Sequence, residues 1–331
     1  MREINTIVAY LTQHATVPSV LATLVTVAGS SYRRPGARLL LSDDGVRLGS
    51  ISGGCLEEDV LARAARVRIT GTAEVATYDT TAENETVWGV GLGCHGVVQV
   101  LLERLPACPE WAHALAANLA AQRRTHLAIT WQTGALQPLG TRSADKLLAA
   151  APLPGVFHET VEPATILHVY GGGDDAQPLV RLADELGWDV VVADPRPAFA
   201  TTARFPKAHR VFFGPASDLV RITAPAAHAV AVVMTHHYVH DVPILGALLR
   251  QDLAYVGLLG PKQRAERILA DLIREGTIDP AATPRLHAPV GLDLGAETPE
   301  EVALSILAEI KSVLTRRDGR PLRERQRPIH G

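Results

Sequence analysis

Cysteine is scarce in this sequence: Cys55, Cys94 and Cys108 are the only three in 331 residues. Three thiols this far apart cannot make a disulfide framework, and none stands in a CxxC pair of the kind that holds zinc or runs a redox couple. Reduced thiols are therefore expected. Long apolar runs are also missing, so no membrane span is expected, and Met1-Arg2-Glu3-Ile4-Asn5 is not the basic-then-apolar start of a secretory signal. A cytoplasmic protein is the expectation. Nor is there an excess of positive charge: the formal net charge is -3 and the pI about 6.5, which excludes the global basic field of a nucleic-acid binder. Any anion has to be met by a local site.

Apolar residues make up 47% and charged residues 20%, an ordinary globular composition, and the length suits two domains. The fold class expected is α/β. Residues 1–110 read as a first α/β domain, with strands over 20–27, 38–41, 47–51, 74–78 and 97–102 and a helix after Cys55 on which Leu56, Val60, Leu61, Ala64 and Val67 recur at helical spacing. Residues 111–163 read as a connecting region holding one helix and one strand. From 164 to 315 strands and helices alternate, which predicts a Rossmann-like, doubly wound parallel sheet. Its last helix is announced by Thr298-Pro299-Glu300-Glu301, an N-cap, a first-turn proline and a capping-box glutamate. Residues 316–331 form a basic tail.

Four clusters could carry chemistry. Gly171-Gly172-Gly173-Asp174-Asp175-Ala176 is a G-x-G-x-x-A between a strand and a helix. Gly171, Gly173 and Ala176 would let helix amides approach a pyrophosphate, and Asp194, ending the next strand, stands where a ribose hydroxyl is bound, so NAD(P) or another nucleotide is a candidate ligand. Asp174 and Asp175 would repel a phosphate unless turned away. Gly53-Gly54-Cys55-Leu56-Glu57 places a thiol before a helix whose dipole favours thiolate, with Glu57 as a ligand, a hydrogen-bond partner or a plain first-turn acid. Gly91-Leu92-Gly93-Cys94-His95-Gly96 is a second glycine loop. If it meets the first, Cys55 and Cys94 make a paired thiol site suited to soft chemistry. Arg33 and Arg34, in Ser30-Ser31-Tyr32-Arg33-Arg34-Pro35-Gly36, are either a phosphate grip or a solvated turn. His236, His237, His240 and Asp241 follow a strand at the carboxyl edge of the predicted sheet, where cofactor contact is favoured over a metal site.

Taken together, the 30–37, 52–57 and 91–96 motifs and the Rossmann half resemble the XdhC/CoxI family of xanthine dehydrogenase accessory proteins, with Asp194-Pro195-Arg196, Thr235-His236, Gly257-Leu258-Leu259-Gly260 and the segment from His287 to Asp293 continuing the likeness. The resemblance spans residues 10–315. It implies binding of the molybdenum cofactor, as molybdopterin or its dinucleotide form, and protection of it while sulfur from a cysteine desulfurase is installed. It further implies delivery to a molybdenum hydroxylase apo-enzyme of the xanthine or carbon monoxide dehydrogenase type. In that reading the protein is a chaperone without catalytic residues, and Cys55 and Cys94 contact the cofactor or handle its sulfur. His95 departs from the small or polar residue of many relatives. Two alternatives stay open: an NAD(P)-dependent oxidoreductase using Gly171–Ala176, Asp194 and a group among His236, His237 and His240, and a Rossmann half that serves only to form a homodimer or dock the recipient enzyme.

Overall fold

The structure, a computed structural model, describes residues 2–29, 31–79, 96–132, 138–144, 153–227 and 229–326. The chain divides into two units, Met1–Pro163 and Ala164–Gly331.

In the first unit, alternating side chains make β1 (Ser19–Gly29) two-faced: Val20, Ala22 and Leu24 enter one core, Leu21 and Val25 another. β2 (Arg38–Ser42), β3 (Arg47–Gly49), β4 (Glu74–Asp79) and β5 (Gly96–Leu105) complete an antiparallel sheet in the order β3-β2-β1-β5-β4. One face is covered by α2 (Glu57–Thr70) through Val60, Ala64 and Val67. The other is covered by α1 (Arg2–Gln13), an element beyond those expected, whose stripe of Ile4, Ile7, Val8 and Leu11 has helical spacing.

Residues 111–163, expected as a connecting region, fold within this unit. Here α3 (Glu110–Ala120) packs on α1, and β6 (Thr125–Thr130) pairs antiparallel with β7 (Gly140–Ala144) and β8 (Val156–Val161). The reason is apolar burial, since Trp111, Leu115, Leu127, Ile129 and Val161 share the core of α1. Charge stitches the two sheets together as well. Arg38, only 1% exposed, donates from Nη2 to Glu159 Oε2 at 2.5 Å and from Nη1 to the Gly36 carbonyl at 2.8 Å. Glu103, equally inside, accepts the Thr141 N–H at 2.9 Å and its hydroxyl at 2.5 Å; burial raises its pKa against those bonds and the nearby Arg38 charge.

The second unit is the doubly wound sheet. Its strands β9 (Ile166–Tyr170), β10 (Asp189–Asp194), β11 (Arg210–Phe213), β12 (Val230–Val233), β13 (Tyr255–Leu258) and β14 (Leu286–His287) are all parallel, in the order β11-β10-β9-β12-β13-β14. Counted from β9 this is 3-2-1-4-5-6, the dinucleotide-fold order, with its switch point between β9 and β12. Runs such as Val190-Val191-Val192 suit strands buried on both faces. α4 (Ala176–Glu185) and α8 (Pro299–Thr315) cover one face; α5 (Ala216–Thr223), α6 (Tyr238–Leu248) and α7 (Lys262–Arg274) cover the other. The capping box at Thr298 and Glu301 forms as the sequence predicts. No described helix is long and apolar enough to cross a membrane.

Arg38→Ala strips the cation from Glu159 and removes a positive charge that favours the buried Glu103 carboxylate. Breaking a buried pair in this way is expected to cost the first unit about 3–5 kcal/mol, read as a lowered urea midpoint.

Candidate functional site

At one end of the first unit's sheet, β1 ends at Gly29, β2 begins at Arg38, β3 ends at Gly49, β4 ends at Asp79 and β5 begins at Gly96. The antiparallel order therefore sends the 31–37 and 50–56 connections out of the same end, so these two sequence motifs share an edge. Cys94, His95 and the other residues of 80–95 lie outside the described residues, as does Ser30. The Tyr32 ring reaches the 50–56 loop, with Cδ1 3.9 Å from where a Cβ on Gly53 would be.

Glu57 is the centre of that loop. It is 7% exposed, and its carboxylate accepts the Ser50 hydroxyl and the Ser52 N–H, each at 2.9 Å, the Ser52 hydroxyl, and the Leu56 N–H at 3.2 Å. Burial alone would raise its pKa, but these bonds outweigh it and bring the value down to about 2. With those acceptor positions taken, Glu57 shapes the loop instead of reaching outward. Gly53, Gly54 and Cys55 stand exposed above it, and no atom of the described residues lies within 4 Å of a Cβ placed on Gly54. Cys55 sits one residue before Leu56, the N-cap of α2. Arg33 is already paired, its Nη2 2.5 Å from Glu3 Oε2, while Glu3 Oε1 accepts the Arg38 N–H at 2.9 Å. Arg34 is exposed on the same turn.

In the second unit the glycine loop joins β9 to α4 at the carboxyl edge of the sheet. Gly171, at φ 123°, passes so close to β12 that a Cβ would lie 2.4 Å from the Met234 carbonyl. Asp194 is fully buried: Oδ2 accepts the Gly172 N–H at 2.7 Å and Arg196 Nη2 at 2.8 Å, and Oδ1 accepts the Arg196 N–H at 2.7 Å and Nε at 2.9 Å. Burial would raise its pKa, yet these donors lower it overall. Asp175 Oδ2 is 2.6 Å from His236 Nε2, and Asp174 Oδ1 is 2.7 Å from Arg204 Nη2. Phe199 lies beneath two guanidinium groups, those of Arg196 and Arg204.

His236 has a backbone φ of 62°, an uncommon value for a residue with a Cβ. The turn is held from below. Thr235 donates its hydroxyl to Asp241 at 2.5 Å and accepts the His237 N–H at 3.1 Å, and the buried Asp241 also takes Arg264. Asp241's own pKa is raised by burial, against Thr235 and Arg264. Helix α6 begins only at Tyr238, so His236 and His240 do not share a helical face. His237 and His240 instead meet edge to face at 5.6 Å. Among the described residues no group of His, Cys, Asp and Glu could hold a metal ion. Arg204 carries no local signal in the sequence, because it reaches Asp174 from thirty residues away. Pro178, by contrast, is a legible warning: the third residue of α4 has no N–H to offer a phosphate.

An open, thiol-bearing loop on one α/β unit and a Rossmann fold in the other define a two-unit α/β protein. Residues 12–79 match the XdhC and CoxI family and residues 167–310 the XdhC Rossmann domain. The chain is 35% identical over 311 residues to a probable xanthine dehydrogenase subunit of Bacillus subtilis, covering 88% of this chain and 92% of that protein. It is 26% identical to the molybdenum cofactor insertion chaperone PaoD of Escherichia coli, over 89% of this chain and 83% of that one. A solved structure described as a xanthine dehydrogenase from Bacillus halodurans superposes with a TM-score of 0.81 at 29% identity, covering 97% of this chain and 99% of that one. The chain belongs to the XdhC and CoxI family.

Two outcomes follow from the titrating groups. Because the folded pKa of Glu57 is depressed, its contribution is complete above pH 4.5 and disappears as pH falls toward about 2. Glu57→Gln should therefore be less stable at pH 7 and lose less on acidification, in urea titrations at stepped pH. His236 is shifted the other way: the hydrogen bond to Asp175 raises its pKa from 6.5, with Asp241 adding to the shift and burial and Arg264 opposing it. Its contribution is complete below about pH 6.5 and is lost as pH rises through the folded pKa. In Asp175→Asn, the imidazole resonance of His236 should titrate at lower pH than in the wild type.

Proposed function

We propose that the chain is a cytoplasmic chaperone of the molybdenum cofactor. It binds molybdopterin or its dinucleotide form and shields it while a cysteine desulfurase supplies the terminal sulfur. It then hands the cofactor to a molybdenum hydroxylase of the xanthine dehydrogenase type. Cys55 carries this reading: an exposed thiol beside two exposed glycines, on a loop tied down by Glu57, in a chain of the XdhC and CoxI family. The relative named as a cofactor insertion chaperone supports it.

The residues present suit such a cargo. A soft molybdenum–sulfur centre favours thiolate donors, and exposed glycine backbone can approach an anionic pterin phosphate without a Cβ in the way. Cys55 would supply the sulfur contact, and Cys94, which lies outside the described residues, is the second thiol proposed for it. Arg33, Arg34, Gly53 and Gly54 would face the phosphate. Glu57 acts only through the loop and is a positioning residue. In this reading nothing is turned over. The oxidoreductase alternative finds no support at Asp194, whose acceptor positions are filled from within.

The test is pterin retained on the protein after anaerobic gel filtration. Stoichiometric retention by the wild type, reduced by Cys55→Ala and by Cys94→Ala, is the expected result. A folded wild-type chain that keeps no pterin would sink the proposal.

A further inference from the structure

We infer that the glycine loop of the Rossmann unit is closed to pyrophosphate by its own acids. Asp194 takes the Gly172 amide, and Asp174 and Asp175 set two further carboxylates beside the loop, so the native chain binds no pyrophosphate-bearing nucleotide there.

A G-x-G-x-x-A loop holds a dinucleotide with the N–H groups of the loop and of the first helical turn, and with a free acid for the ribose. The ribose acid and part of the amide set are committed within the chain. The Gly171 N–H goes to the Ala193 carbonyl at 2.8 Å and the Gly172 N–H to Asp194 at 2.7 Å. Ala176 donates to the Gly173 carbonyl at 3.2 Å and Gln177 to that of Asp174 at 3.3 Å, and Pro178 has no N–H. The ribose acid, Asp194, is buried with each oxygen taking two donors.

Space and charge agree with this accounting. The Phe199 carbonyl lies 2.3 Å from a Cβ position on Gly172, so a backbone oxygen covers the glycine that ought to face phosphate. Asp175 Oδ1 folds back to 2.7 Å from a Cβ position on Gly173. The cations that would receive an incoming anion are each matched already: Arg204 with Asp174, His236 with Asp175 and Arg196 with Asp194. The strained turn at His236, buttressed by Thr235, Asp241 and Arg264, holds the imidazole toward Asp175 across the switch point. A pyrophosphate here would meet two like charges and compete for cations that are already paired. The inference concerns the second unit alone and stands whether or not the first unit carries the molybdenum cofactor.

Calorimetric titration of the full chain with ADP and with NADH tests it, using wild type, Asp175→Ser and Asp174→Asn/Asp175→Asn. The wild type should give no saturable binding of either probe, and ADP should leave the His236 imidazole resonance unmoved. Removing the carboxylates lifts the like-charge repulsion, so ADP affinity should rise by at least about tenfold. Should the double variant fail to fold, Asp175→Ser carries the same comparison, because serine still suits a helix start. Saturable binding of ADP or NADH at this loop by the wild type, or folded variants that bind ADP no better than the wild type, overturns the inference.

Discussion

The carboxylate of Glu57 is inside the protein and has to be given donors, and the 50–56 loop takes its shape from providing them. Ser50, Ser52 and the Leu56 amide all turn inward to one acid. A buried carboxylate without partners is expensive, so a loop that surrounds one has little freedom to rearrange. The device recurs. Asp194 gathers Gly172 and Arg196, Asp241 gathers Thr235 and Arg264, and Glu103 gathers the Thr141 N–H and hydroxyl. In both units, loops at the sheet ends are organised around a buried acid.

The same device has opposite results in the two units. Around Glu57 the serines and the Leu56 amide satisfy the acid, which leaves Gly53, Gly54 and Cys55 facing outward. Around Asp194 it is the glycine loop itself that provides a donor, through Gly172. What is open in the first unit is closed in the second. A chaperone has use for this division: one unit presents an exposed thiol on a braced loop, while in the other the strand-end acid is bonded from within.

The matching pairs around the second loop carry little energy individually where they are exposed, Asp174 being 87% exposed in its pair with Arg204. Their effect lies in position. Around the loop Asp174 pairs with Arg204, Asp175 with His236 and Asp194 with Arg196, so each acid faces a basic partner.

Much is legible in the sequence because it depends on local pattern. The alternation of strands and helices after residue 164, the Thr298 capping box and the position of Cys55 before a helix all follow from side-chain period and cap chemistry over a few residues. The helix α1 is equally legible from Ile4, Ile7, Val8 and Leu11, once residues 2–13 are read for helical period as well as for a leader. What tertiary structure alone decided is where the polar groups point. Glu57 as a loop core, Asp194 as an acid already saturated, Asp175 turned to His236 and Arg204 reaching Asp174 all depend on partners brought close by folding. So does the placement of residues 111–163 in the first unit, through a core shared with α1. A motif states which residue types stand at which spacing; which hydrogen-bond acceptors are already filled is set by groups distant along the chain, and spacing does not encode it.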